Sequence, residues 1–196
     1  MTAIAPASRG NSAVRTLLLC LGLGLAVTVR WQVFHTAALD GITEGLVFGS
    51  ALLSIAWVGG SKLSAPPIGA VAAGIVAGAA LVAVSLLARD SGAPLVLAHA
   101  APFLPWVVVT AFVAIGEELV LRGVLWRRLA AAGGDVAALL ATSLLFALIH
   151  VPVYGWTVVP LDLGVGLWFG GLRLWFGGPT APAVAHVLAD LATWWL

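Results

Sequence analysis

Residues 115–123 read I-G-E-E-L-V-L-R-G, and the reading of the whole chain turns on them. They sit inside an apolar run, residues 104–126, long enough to cross a bilayer as a helix, which takes about 20 residues. An ionised side chain near the centre of a membrane helix costs about 2.5–3.5 kcal/mol on insertion scales. Glu117, Glu118 and Arg122 therefore need partners, a water-filled cavity or a chemical role. Outward from this stretch, nearly everything is compatible with lipid. Of 196 residues, 62% are hydrophobic and 9% charged, against about 25% charged in a soluble domain.

That composition predicts an all-α, polytopic transmembrane helix bundle. Seven spans are expected, at about residues 14–30, 42–58, 68–88, 104–126, 136–154, 157–176 and 179–196, separated by glycine- and proline-rich breakers. Residues 1–13 read as a disordered tail and 14–196 as one membrane domain. The first apolar stretch, behind Arg9 and Arg15, also has the form of a secretory signal. An uncleaved first helix is the reading taken, because every later segment needs the membrane too. With the N-terminus in the cytoplasm, Arg9, Arg15, Lys62, Arg127, Arg128 and Arg173 fall on the cytoplasmic side and Arg30 and Arg89 outside, as the positive-inside rule requires. Trp31, Trp57, Trp106, Trp126, Trp156, Trp175, Trp194 and Trp195 fall near span ends, where an aromatic belt belongs. Residues 89–105 have room for a re-entrant or interfacial piece. A net charge of +1 and the lack of a basic run exclude nucleic acid as a partner. The single cysteine, Cys20, forms no internal disulfide.

Three polar motifs share one geometry, since residues four apart lie on the same helix face. They are Glu118 with Arg122, Phe146 with His150, and His186 with Asp190. If the bundle turns these faces inward, it gathers a set sufficient for general-base hydrolysis, with or without a metal. An acid held by an arginine is a poor base, and an unpaired acid in an apolar pocket a better one. Glu117, about 100° round the helix from Glu118, is thus the expected base, with Glu118 orienting through Arg122. The competing reading makes the two acids and Arg122 a neutral packing clamp. His186 and Asp190 suit an imidazole whose tautomer an acid fixes. Asp162, near the start of the sixth span, reads as interfacial, and His35 and His99 as solvated. Counted at 1.5 Å per residue, Glu117 and Asp190 lie about 15 Å deep but His150 about 21 Å. The G-x-x-x-G pairs Gly74/Gly78 and Gly166/Gly170 mark close helix packing.

Together, E-E-L-V-L-R at 117–122, F-A-L-I-H at 146–150 and H-V-L-A-D at 186–190 resemble the CPBP family, the CAAX-prenyl endopeptidases and bacterial Abi-type intramembrane proteases. The resemblance covers about residues 104–196. It implies a glutamate-dependent intramembrane endopeptidase in which Glu117 and His150 activate water. His186 and Asp190 would stabilise the oxyanion, and Glu118 and Arg122 would support the site. The last motif ends in Asp190 where prenyl-processing members usually carry asparagine. A carboxylate is the worse oxyanion partner unless it is protonated or acts through His186. Metal-free water activation is the expectation. The alternative is a divalent ion such as zinc on Glu117, His150 and His186, although the H-E-x-x-H spacing is lacking. The expected substrate is a membrane-associated protein or peptide, and the expected location a bacterial inner membrane. Rival readings are a non-catalytic immunity or scaffold protein of the same fold and, behind it, a proton or metal-ion transporter, which the lack of an inverted repeat disfavours.

Overall fold

A computed structural model describes residues 9–36, 39–61, 65–88 and 101–195. Lys62, Arg89, Asp90, His99, residues 1–8 of the expected tail and most of the expected re-entrant piece at 89–105 lie outside these. The described residues are helical throughout: α1 (Arg9–Thr36), α2 (Gly41–Val58), α3 (Ile68–Ala88), α4 (Phe103–Glu118), α5 (Trp126–Tyr154), α6 (Val159–Phe176) and α7 (Thr180–Ala192). Helices satisfy every backbone hydrogen bond within the segment, as a chain in lipid requires.

Seven helical segments appear in the expected order, but they are not seven equal crossings. Among the described residues five stretches are long and apolar enough to span a membrane, and one of these extends from Phe103 to Tyr154. Gly134, at φ 83° and ψ 172°, breaks that 52-residue stretch into two arms, a conformation glycine adopts without steric penalty. The last helix, α7, has 13 residues and reaches about 20 Å, short of a full crossing.

Between α4 and α5 lies a departure from the expected straight helix. Leu119–Leu125 form a π-helical turn. The Trp126 N–H bonds the carbonyls of Gly123 and Leu121 and skips that of Arg122. The freed Arg122 carbonyl accepts instead from Arg173 Nε, at 2.8 Å. Arg173 therefore compensates, from α6, the acceptor that the wide turn releases.

Packing joins α3 to α7, α5 to α6, and α2 and α7 to α4. Lipid tails are as apolar as leucine, so close backbone approach has to supply much of the attraction between helices. At Gly74 a β-carbon would stand 2.6 Å from the Ala181 carbonyl, and at Gly78 3.0 Å from that of Ala185. The glycine pair of α3 thus seats the helix that carries His186. Leu19, Leu23, Phe48, Leu52, Val120, Leu121, Val124 and Phe169 fill the core, while Leu17, Leu25, Val76, Leu104 and Leu161 face outward. Trp57, Trp156 and Trp175 are exposed as a belt requires, but Trp126 is not. It is buried, donates Nε1–H to Asp135 at 3.2 Å and lies under the Arg173 guanidinium.

Candidate active site

Glu117, Glu118 and Arg122 occupy the end of α4 and the π turn, and all three are buried. Their roles in the packing differ. Arg122 Nη1 donates to Glu118 Oε1 at 2.8 Å, and Nη2 donates to the Gly166 carbonyl at 2.9 Å. The guanidinium also lies 4.9 Å from the centre of the Phe146 ring and 5.7 Å from that of Phe169, close enough for cation–π attraction. Glu117 takes no part in this pairing. It faces the histidines, so the clamp reading accounts for Glu118 and Arg122 and leaves Glu117 out.

Glu117 Oε2 stands 3.9 Å from His150 Nε2 and 3.9 Å from His186 Nε2. Each ring is anchored through its other nitrogen. His150 Nδ1 lies 2.8 Å from the Phe146 carbonyl, which accepts only if Nδ1 carries the hydrogen. His186 Nδ1 lies 3.2 Å from Glu118 Oε1 and donates to that carboxylate. Both Nε2 atoms are thereby turned toward one carboxylate oxygen. The Phe146 ring is tilted against His150 and edge-on to His186, at 4.8 and 5.3 Å. The phenylalanine of the second motif thus spaces the two imidazoles beneath Arg122.

Asp190 Oδ2 lies 3.4 Å from His186 Nε2, and its side chain is 40% exposed. It forms the wet edge of the cluster. Asp162, read from sequence as interfacial, instead brings Oδ2 to 3.7 Å from His150 Nδ1. The fold is the reason, since the chain turns at Gly155 and α6 packs along α5. Arg173 and the Gly166 carbonyl were not legible, because neither belongs to a spaced polar pair. His35 is exposed, as expected.

Two imidazoles and a glutamate have the donor chemistry of a catalytic zinc site. As placed here they stand wider apart than the ligands of such a site. Ligands about 2.0–2.1 Å from a tetrahedral ion stand roughly 3.3 Å from each other, closer than the 3.9 Å separations here. Among the described residues no three acids, imidazoles or thiols are set to hold a metal ion. The same separations do suit a water with hydrogen bonds of about 2.8 Å to Glu117 and to one imidazole.

Comparison with known proteins addresses this same part of the chain. No curated protein and no solved structure matches it. Residues 99–192 match the family described as type II CAAX prenyl endopeptidase Rce1-like. All seven motif residues and Asp162 lie inside the matched stretch, which belongs to the CPBP family of CAAX-type endopeptidases.

Proposed function

We propose that the protein is an intramembrane endopeptidase in which Glu117 activates water against a peptide bond of a membrane-associated substrate. The observation that carries this reading is the convergence of two anchored imidazoles on the one buried carboxylate that Arg122 does not pair. A water donates one hydrogen to Glu117 Oε2 and the other to His150 Nε2, which leaves a lone pair free to attack. Glu117 takes the proton as the oxygen bonds to the scissile carbonyl carbon. Carrying a hydrogen on both ring nitrogens, His186 donates from Nε2 to the developing oxyanion while Glu118 accepts its Nδ1–H. The proton on Glu117 then passes to the leaving amine as the C–N bond breaks. Asp190 acts through His186, orienting it from the wet side. Glu118 and Arg122 fix that geometry, and Asp162 supports His150.

The half-satisfied burial of the Arg122 pair favours a functional reason for keeping it. Glu118 Oε2 and Arg122 Nε are buried without hydrogen-bond partners among the described residues. A buried ion pair is weak support for stability even when complete. The substrate class is a membrane-proximal segment of another protein, and the location a bacterial inner membrane.

The test is a comparison of membrane-protein N-termini in cells carrying the wild type or Glu117→Gln. Loss of a general base lowers the rate by about 10²–10⁴, so precursors should accumulate uncleaved in the variant and in His150→Ala, with both proteins still inserted. A fully active Glu117→Gln removes the base assignment. If neither substitution changes the phenotype, the protein acts by binding. Metal chelation should leave cleavage unchanged, and a loss reversed by added zinc would reassign Glu117, His150 and His186 as ligands.

A further inference from the structure

Two hollows between α1 and α2 take no part in the chemistry described above. The first, of about 410 Å³, is lined by Arg15, Leu18 and Gly22 of α1, by Ile55 and Val58 of α2, and by Arg128 of α5. The second, of about 370 Å³, continues along the same two helices to Arg30 and Glu44. Gly22, Ser54 and Ile55 belong to both, so the two form one groove. Its α1 wall recurs every three or four residues from Arg15 to Val33. That is one face of the helix, about 27 Å long. Leu18, Leu25 and Val58 on the walls are more than half exposed, so the groove opens sideways to the apolar part of the bilayer.

The two ends of this groove differ in charge. At one end Arg30 is met by Glu44 at 2.9 Å, and both also line a cavity of about 470 Å³ that reaches Asp190. At the other end Arg15 and Arg128 line a common hollow, and among the described residues neither is in an ion pair. Arg128 Nε is buried without a hydrogen-bond partner. Asp135 of α5 does not supply one, being engaged by Trp126 Nε1. Two guanidinium groups on one hollow repel each other and leave donors unmet, and an anion between them relieves both costs. Their planar forks suit a phosphate in particular. A free phosphate makes no use of the apolar groove. A second copy of this chain would bring more arginines to an end where Arg127 already lies, bonded to the Gly60 carbonyl.

We propose that the groove holds one anionic glycerophospholipid, its phosphate between Arg15 and Arg128 and an acyl chain running along α1 and α2 past Gly22. Basic pockets between membrane helices recurrently hold such headgroups. The lipid ties α1, which packs on α2 and α5, to the helix that follows the π turn. It binds the folded chain and so stabilises it by mass action. This assignment is independent of the hydrolase reading.

The test uses the full-length protein, delipidated in detergent and titrated with phosphatidylglycerol, phosphatidylcholine or inorganic phosphate. Native mass spectrometry counts bound lipid, and thermal melting reads stability. The wild type should retain one phosphatidylglycerol per chain and melt higher with it, and should bind phosphatidylcholine about tenfold more weakly or worse. Arg15→Gln/Arg128→Gln should weaken phosphatidylglycerol by about tenfold or more. Arg15→Gln alone, at an exposed position, keeps the test decisive if the double variant unfolds, and should weaken it about threefold or more. Arg127→Gln, a neighbouring cation outside the hollow, should leave retention unchanged. Gly22→Leu starts a side chain 3.6 Å from Ile55 in the groove, and should weaken long-chain but not short-chain phosphatidylglycerol. Equal binding of phosphatidylglycerol by the arginine variants and the wild type overturns the proposal, as does equal binding of phosphatidylcholine by the wild type. Inorganic phosphate that reproduces the melting shift would mark an anion site without a lipid and overturns it too. So does a chain dimer that Arg15→Gln disperses, which would make a second copy the occupant. Unchanged long-chain binding in Gly22→Leu overturns the path of the acyl chain.

Discussion

Two arginine–glutamate pairs of nearly equal length occupy opposite halves of the molecule. Arg30 and Glu44 meet at 2.9 Å between α1 and α2, each side chain retaining about an eighth of its exposure (14% and 13%). Glu118 and Arg122 meet at 2.8 Å within one helical segment, both fully buried. The first pair lies in a cavity wall, where water can replace a lost partner. The second is tied to Gly166, His186 and two aromatic rings, where nothing can. A salt bridge thus acquires its importance from what surrounds it. The same chemistry is replaceable in α1–α2 and structurally binding in α4–α7.

Arg122→Met puts this contrast under the greatest load. It strands Glu118 as a buried, unpaired charge, which costs about 3–5 kcal/mol, and it should abolish cleavage. Thermal unfolding in detergent reads the first effect, and a loss under about 1 kcal/mol would erase the distinction between the pairs. Adding Glu118→Gln should restore most of the stability without restoring cleavage, separating the two contributions.

Arg173→Met comes next. It leaves the Arg122 carbonyl in the π turn without its donor, a loss of about 1–3 kcal/mol. Cleavage should fall with it, and Arg173→Lys should recover part of both. Cleavage and stability unchanged in Arg173→Met would mean that the π turn holds itself. Smaller still is Glu44→Gln, expected to cost no more than about 1 kcal/mol because the freed Arg30 reaches water in the cavity. A larger shift in melting would make the two pairs alike after all.

The smallest effect concerns the cap of α2, beside the weaker pair. Asp40 accepts from the Thr43 hydroxyl at 2.7 Å and from the Ile42 and Thr43 N–H groups at 3.0 Å. The Thr43 hydroxyl first, and then its N–H, hold the Asp40 carboxyl below the usual carboxylate range. A carboxyl lowered in the folded state contributes stability that is complete above its ordinary range. That contribution is lost as pH falls through the lowered value. Asp40→Asn keeps an acceptor but cannot ionise, so the acid limb of a pH–melting curve should flatten. An unaltered limb would detach this carboxyl from α2.

Much of the site was legible because its spacing is local. Glu118–Arg122, Phe146–His150 and His186–Asp190 are each one helical turn apart, and one turn aligns side chains whatever the rest of the fold does. Residues from different helices gave no such signal. Counting along straight rods left His150 about 6 Å deeper than Glu117, yet their side chains stand 3.9 Å apart. Asp162 read as interfacial because its partner lies across the Gly155 turn, and Trp126 read as part of a belt because its burial depends on Arg173 and Asp135.

Hydropathy and the 3.6-residue period were enough to establish a helical membrane protein, to place most helix ends within a few residues, and to mark the side chains too costly to be there idly. Both are properties of short stretches, readable without knowing what packs against them. The assembled bundle alone sends Glu118 to Arg122 and Glu117 to the histidines, sets a π turn between the acids and Trp126, and brings Arg173 of α6 to the carbonyl which that turn frees. Each of these depends on how one helix is rotated and tilted against another. That is set by glycine-sized gaps and buried polar partners far apart in the chain.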